Sequence, residues 1–160
     1  MTMSKCVKLF DLLNEYPNNI DVIKTKYLEL LVELTIVTNI ETTLFTENIA
    51  TIHQMGCIIV KYISSPGLDD FTIIASGTII IEPKIIRGGK SVGHIEDIVI
   101  KKEYRGNKIA QEILEQLKGL ARENNCYKII LDCNENVKKV YENYGFEEKG
   151  CQMGIHLNPP

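Results

Sequence analysis

The sequence has no Cys-x-x-Cys pair, no tryptophan, no long apolar run and no strong excess of either charge. Each absence excludes something. The five cysteines (Cys6, Cys57, Cys126, Cys133 and Cys151) are odd in number and lack paired spacing, so neither a disulfide framework nor a zinc site is expected, and no metal. No apolar run approaches the ~18–20 residues that span a bilayer. The segment Met1–Cys6 leads into mixed sequence rather than a signal core. These features predict a cytoplasmic chain with reduced thiols and no membrane partner. The 18 Lys and Arg stand against 21 Asp and Glu, a formal net charge of -3. Without an overall basic field, nucleic acid is not an expected partner, and a bound anion would need a local site. The missing tryptophan, beside abundant Ile, Asn and Lys, suggests an AT-rich coding source and carries nothing about function.

What is present is an ordinary globular composition. At 160 residues, 44% hydrophobic and 24% charged, the chain is long enough for one full core, and a single domain over residues 1–160 is expected. Lys5 to Leu12 reads as a first strand. Ile23, Tyr27, Leu30, Leu31 and Leu34 mark one face of a helix from about Asp21 to Thr35. A shorter helix carries Phe45, Ile49 and Ile52, with Thr46 as its cap. Cys57 to Ile63, Phe71 to Ile81 and Ser91 to Ile100 are β-rich runs separated by turn signals at Ser64–Gly67 and Gly88-Gly89, an antiparallel meander. A helical face at Ile109, Ile113, Leu117 and Leu120 then leads to a short strand, Lys128–Leu131. Strand, helix, strand implies a parallel crossover. A short helix over Val137–Tyr144 and a last strand from Gly145 to about His156 complete an α+β fold with a mixed sheet, which can splay where its halves meet.

Three segments carry candidate chemistry. In Gly93–Ile100, Glu96 and Asp97 are adjacent carboxylates inside an apolar strand. Neighbours on a regular strand face opposite ways, so both reach one cleft only if the strand is bulged there; otherwise one faces solvent and one a sheet edge. The loop Tyr104–Ala110 enters a helix, whose free N–H groups and positive dipole end suit a pyrophosphate, although one glycine between two cations also fits a solvated loop. In the third segment, Asp132 ends a strand and Tyr141 lies on the helix beyond it. Ligand crevices lie at such strand ends; the structural alternative is a helix cap and a core aromatic.

Together these segments resemble the GNAT N-acetyltransferases, whose acetyl-CoA motif is Q/R-x-x-G-x-G/A. GHIEDIVI, CYKIILDC, VYENYGF and GTIIIEPKII are similar to blocks of the glucosamine 6-phosphate branch of that family, closely from about Gly77 to Ile155. The resemblance implies a single-domain acyl-CoA N-acyltransferase fold, splayed between two central parallel strands. It implies transfer of acetyl from acetyl-CoA to the 2-amino group of D-glucosamine 6-phosphate by direct attack in a ternary complex. The product, N-acetyl-D-glucosamine 6-phosphate, would feed UDP-N-acetylglucosamine synthesis. It further implies a homodimer with sites completed across the interface.

Carried over by residue, Ile98, Val99 and Ile100 would present strand backbone to the pantetheine arm. Arg105 takes the first motif position, and Gly106, Asn107, Lys108, Ile109, Ala110 and Gln111 would wrap the pyrophosphate. Glu96, Asp97 and Asp132 would line the sugar pocket, with Glu96 and Asp132 aligning the amine and draining its proton. Tyr141 would be a neutral donor to the departing thiolate. Thr35, Lys84, Ile85, Ile86, Arg87, Tyr127, Lys128 and His156 fall at substrate positions, and Arg87 suits bidentate phosphate binding.

Three positions depart from the pattern. Lys108 replaces the central glycine, at a cost of roughly 1–2 kcal/mol if that residue needs a positive φ. His156 replaces an arginine, and Val137 an asparagine. The alternatives are a GNAT enzyme for another small amine and a catalytically weak acetyl-CoA-binding module.

Overall fold

The structure, a computed structural model, describes residues 3–65 and 70–158. Strand β1 (Met3–Lys8) runs into helix α1 (Leu9–Glu15), then α2 (Ile20–Leu31), α3 (Thr42–Met55), β2 (Gly56–Ser64), β3 (Phe71–Pro83) and β4 (Ser91–Ile100). Helix α4 (Ile109–Glu123), β5 (Cys126–Leu131) and α5 (Glu135–Glu142) follow. The sheet order is β1-β2-β3-β4-β5, and the first three pairings are antiparallel. The Ser91 amide donates to the Asn125 carbonyl at 3.2 Å. That bond sets the starts of β4 and β5 side by side, as the α4 crossover requires of a parallel pair.

The chain divides into two compact units, Met1–Ile130 and Leu131–Pro160. The first carries α1 to α4 and the sheet as far as Ile130. Helices α1, α2 and α3 cover one face: Leu9, Leu12, Ile23, Tyr27, Leu30, Phe45 and Ile49 pack with Ile58, Val60, Tyr62, Ile73 and Val99. The other face takes α4, which buries Ile109, Ile113, Leu114, Leu117 and Ala121. Ile113 and Leu117 are fully buried, each contributing ~1.5–3 kcal/mol. Their approach depends on Gly77: a Cβ there would lie 2.5 Å from Ile98 Cδ1 and 2.7 Å from Ile113 Cγ2. In the second unit α5 buries no side chain. Among the described residues no helix is long and apolar enough to cross a membrane.

Several elements differ from the sequence expectation. Leu9–Leu12 is helical rather than extended, because Leu9, Leu12 and Leu13 recur at helical spacing and all three are buried. Helix α2 ends at Leu31, and the chain turns there, the Thr35 amide reaching back to the Leu31 carbonyl. Helix α3 begins at Thr42; Thr46 lies inside it, its hydroxyl donating to the Thr43 carbonyl. Pro66 and Gly67 of the first turn lie outside the described residues. Phe146–His156 forms no strand: a strand needs a neighbour for its backbone groups, and none pairs with it among the described residues.

Candidate active site

The β3–β4 ladder slips by one residue. Ser76 faces Val99, yet Thr78 faces Glu96. Two steps on β3 match three on β4, a bulge of one inserted residue. Asp97 adopts the left-handed conformation (φ 52), which aspartate tolerates better than most residues. Both Glu96 and Asp97 are exposed. Directly paired residues share a face, so Glu96 and Thr78 lie on the α2 side with Ser76, whose hydroxyl is 3.4 Å from the Tyr27 hydroxyl. Burial pushes the Tyr27 phenol up to about 12, and the Asp97 carboxylate adds to the rise. The bulge breaks the alternation that would send these two carboxylates to opposite faces of β4. Just beyond it lie Ile98, Val99 and Ile100, with Val99 buried in the α1–α3 core.

From Ile100 the chain turns through a 3-10 turn at Lys102–Tyr104. The Lys101 amide donates to Ile74 O at 2.8 Å and Asn107 Nδ2 to Tyr104 O at 3.2 Å. Gly106 (φ 83) and Lys108 (φ 59) are both left-handed, so the glycine-like conformation of the motif is kept without the glycine. Lys108 supplies no side-chain cap to α4. The first closing bond of the helix runs from Glu112 N to Lys108 O at 3.0 Å, which leaves the amides of Ile109, Ala110 and Gln111 without intrahelical acceptors. Gly106, Asn107, Lys108 and Gln111 are exposed. Uncapped amides, the positive helix end and a nearby cation suit a diphosphate. The Arg105 side chain is engaged elsewhere: Nε donates to Ile100 O at 3.0 Å and Nη2 to Glu33 at 3.2 Å. That ion pair ties the loop to the turn after α2, two residues before exposed Thr35.

The β3–β4 connection brings together a third group. Arg87 (φ 58), Gly88 (φ 68) and Gly89 (φ 77) are successive left-handed residues, and the turn closes by Gly89 N donating to Ile86 O at 3.3 Å. Arg87 Cζ lies 5.7 Å from the Tyr127 ring centroid, and Lys128 Nζ also 5.7 Å from it. Each cation gains cation–π attraction from the ring, and together they bring positive charge to it from two chain segments, which an anion would find favourable. Ile85 and Ile86 are exposed. The Lys84 ammonium pairs with Glu82, and His94 Nε2 lies 2.6 Å from the other Glu82 oxygen. These partners, Lys84 first, hold the Glu82 carboxyl below its ordinary range.

The second unit carries its own polar constellation. Gln152 Nε2 donates to Asp132 Oδ2 at 2.9 Å. Tyr141 packs edge-on against Phe146, ring centroids 6.0 Å apart, and burial, with the Cys133 thiol, raises its phenol above the ordinary value. His156 is exposed. Sequence reasoning missed Glu82, Glu33 and Gln152. Glu82 stood in a recognised block without a role, whereas nothing local marks a partner 72 or 20 residues away.

A profile of the acetyltransferase (GNAT) family matches residues 32–146. The chain is 50% identical over 88 residues to glucosamine 6-phosphate N-acetyltransferase 1 of Dictyostelium discoideum, covering 55% of this chain and 56% of that protein. It thus spans little more than half the length of that relative. The Arabidopsis thaliana glucosamine 6-phosphate N-acetyltransferase is 32% identical over 137 residues, 82% of this chain and 88% of its own. A crystal structure of the enzyme from Arabidopsis thaliana superposes with a TM-score of 0.79 at 28% identity, covering 98% of this chain and 99% of that one.

Proposed function

The chain belongs to the acetyltransferase (GNAT) family, and from that premise we propose that it transfers acetyl from acetyl-CoA to the 2-amino group of D-glucosamine 6-phosphate. The names of the relatives favour this substrate. The observation that carries the reading is the β4 bulge, which presents Glu96 and Asp97 immediately before the Ile98–Ile100 backbone and, one loop later, the uncapped start of α4.

In the first unit, Ile98–Ile100 offers backbone to the pantetheine arm, and Gly106–Gln111 offers amides and the Lys108 ammonium to the diphosphate. Glu96 orients the sugar amine and takes up its proton, directly or through water, and Asp97 lines the sugar pocket. Arg87, Tyr127 and Lys128 bind the sugar phosphate, with the Lys84–Ile86 stretch and Thr35 beside substrate. In the second unit, Asp132 is the other carboxylate assigned to the amine and its proton. Tyr141, its phenol raised by burial, stays protonated at neutral pH and donates to the leaving sulfur. His156 takes the family's phosphate-facing position. Acyl transfer proceeds by direct attack, with no covalent acyl-enzyme.

We read the whole chain as one acetyltransferase domain of the cytoplasm, acting as a homodimer without nucleic-acid, membrane or metal partners. Met153, Ile155 and Leu157 are 84–90% exposed on a segment that pairs with no strand among the described residues; a second copy would cover such a surface. A thiol-release assay comparing D-glucosamine 6-phosphate with unphosphorylated glucosamine tests the assignment. Strong preference for the phosphorylated sugar is expected, and equal rates would overturn it. The second reading, an acetyl-CoA-binding module without turnover, rests on strained Lys108; binding without thiol release would favour it.

A further inference from the structure

Glu82 sits at the end of β3, where the chain leaves the sheet for the connection carrying Arg87. Its register partner is Val92, and His94 lies two residues further along β4, a diagonal neighbour on the same face. Both oxygens of the carboxylate are occupied, one by Lys84 and one by His94. The first holds the leading residue of the connection, and the second fastens that leg to β4. The trailing leg is fixed by the Ser91–Asn125 backbone bond. Between these anchors the connection adopts three consecutive left-handed residues ending in glycines, a backbone that neighbouring contacts must impose because arginine does not favour it.

We propose that Glu82 is a positioning residue for substrate phosphate: by clamping Lys84 to His94 it fixes the β3–β4 connection so that Arg87 stays over the Tyr127 ring, which Lys128 also approaches. This inference rests on the reading of Arg87 and Lys128 as phosphate ligands. Glu82 itself repels a phosphate, so its contribution is orientation rather than attraction. Displacing a charged ligand by about 1 Å is enough to lose much of its benefit.

Steady-state kinetics of Glu82→Ala separates this role from a merely structural one. The KM for D-glucosamine 6-phosphate should rise about five- to twentyfold, the range expected from losing one charge-assisted anchor. The KM for acetyl-CoA, the kcat and the KM for unphosphorylated glucosamine should stay within about twofold. Glu82→Gln, which keeps the side-chain shape and so guards against a folding defect, should move the same KM in the same direction by less. An equal rise for both sugars, an unchanged KM, or tighter binding of the phosphorylated sugar would each overturn the inference alone. A wild-type chain that does not prefer the phosphorylated sugar would overturn the underlying reading and this inference with it.

Discussion

Helices α4 and α5 are both amphipathic and both follow a candidate site residue, yet they are held very differently. Helix α4 buries five side chains against β3 and β4, so its start is as rigid as the core beneath it. Helix α5 buries none. Its unit is fastened by side-chain contacts near the surface: Lys138 with Glu148, Gln152 with Asp132, Tyr141 against Phe146. Exposed ion pairs contribute little, about 0–1 kcal/mol each. Substitutions near α4 should therefore register as stability, and substitutions around α5 as chemistry.

The largest expected effect tests the second half of that contrast. Tyr141→Phe should lower kcat by about 10²–10³-fold while shifting the melting temperature by no more than a few degrees. A large loss of stability with little change in turnover would invert the comparison. In the first unit, the clearest stability signal should be alkaline. Tyr27 is protonated in the fold up to about 12, against about 10 in an unfolded chain. A raised pKa stabilises the fold below the unfolded value, and that stability drains away as pH climbs toward the folded one. The stability advantage of wild type over Tyr27→Phe should thus shrink by about 2–3 kcal/mol between pH 10 and pH 12. Parallel pH curves in chemical denaturation would remove Tyr27 from the ledger.

Gly77→Ala comes next. Its methyl must displace Ile98 and Ile113, costing ~1–3 kcal/mol by overpacking, and, through Ile98, weakening acetyl-CoA binding. Unchanged melting and binding would show that α4 is not seated as tightly as the distances imply. The smallest effect belongs to Lys108→Gly. Removing a lysine from φ 59 should stabilise by about 1 kcal/mol, raising the melting temperature by ~2–4 °C. Acetyl-CoA affinity should then become less sensitive to salt, because one cation is gone. A lower melting temperature would show that the left-handed cost is offset by a lysine contact.

Periodicity made much of this legible. The buried face of α2, the whole of β4 and the start of α4 stood in the sequence, because apolar spacing and the Arg105–Ala110 motif are local signals. The bulge was legible as a condition: two adjacent carboxylates could share a flank only if β4 broke its alternation, and the ladder slips at that point. Within Lys5–Leu12 the residues Leu9–Leu12 read as strand, because four residues cannot distinguish the two periods until Leu13 is added. The sequence continues into a last strand from Gly145 to about His156, but extended structure depends on a partner strand that local sequence does not supply. Contacts that span the chain, Glu33 with Arg105 or Gln152 with Asp132, leave no trace in local pattern.

The proposed activity requires β4 and the loop after it to form one binding surface. A crystal structure of the chain with CoA and D-glucosamine 6-phosphate tests this most directly. The diphosphate should lie within hydrogen-bond distance of the Ile109–Gln111 amides, with the sugar phosphate against Arg87 and Lys128 and the amine beside Glu96. Ligands bound elsewhere, or amides of α4 capped by the protein's own side chains with CoA present, would contradict it.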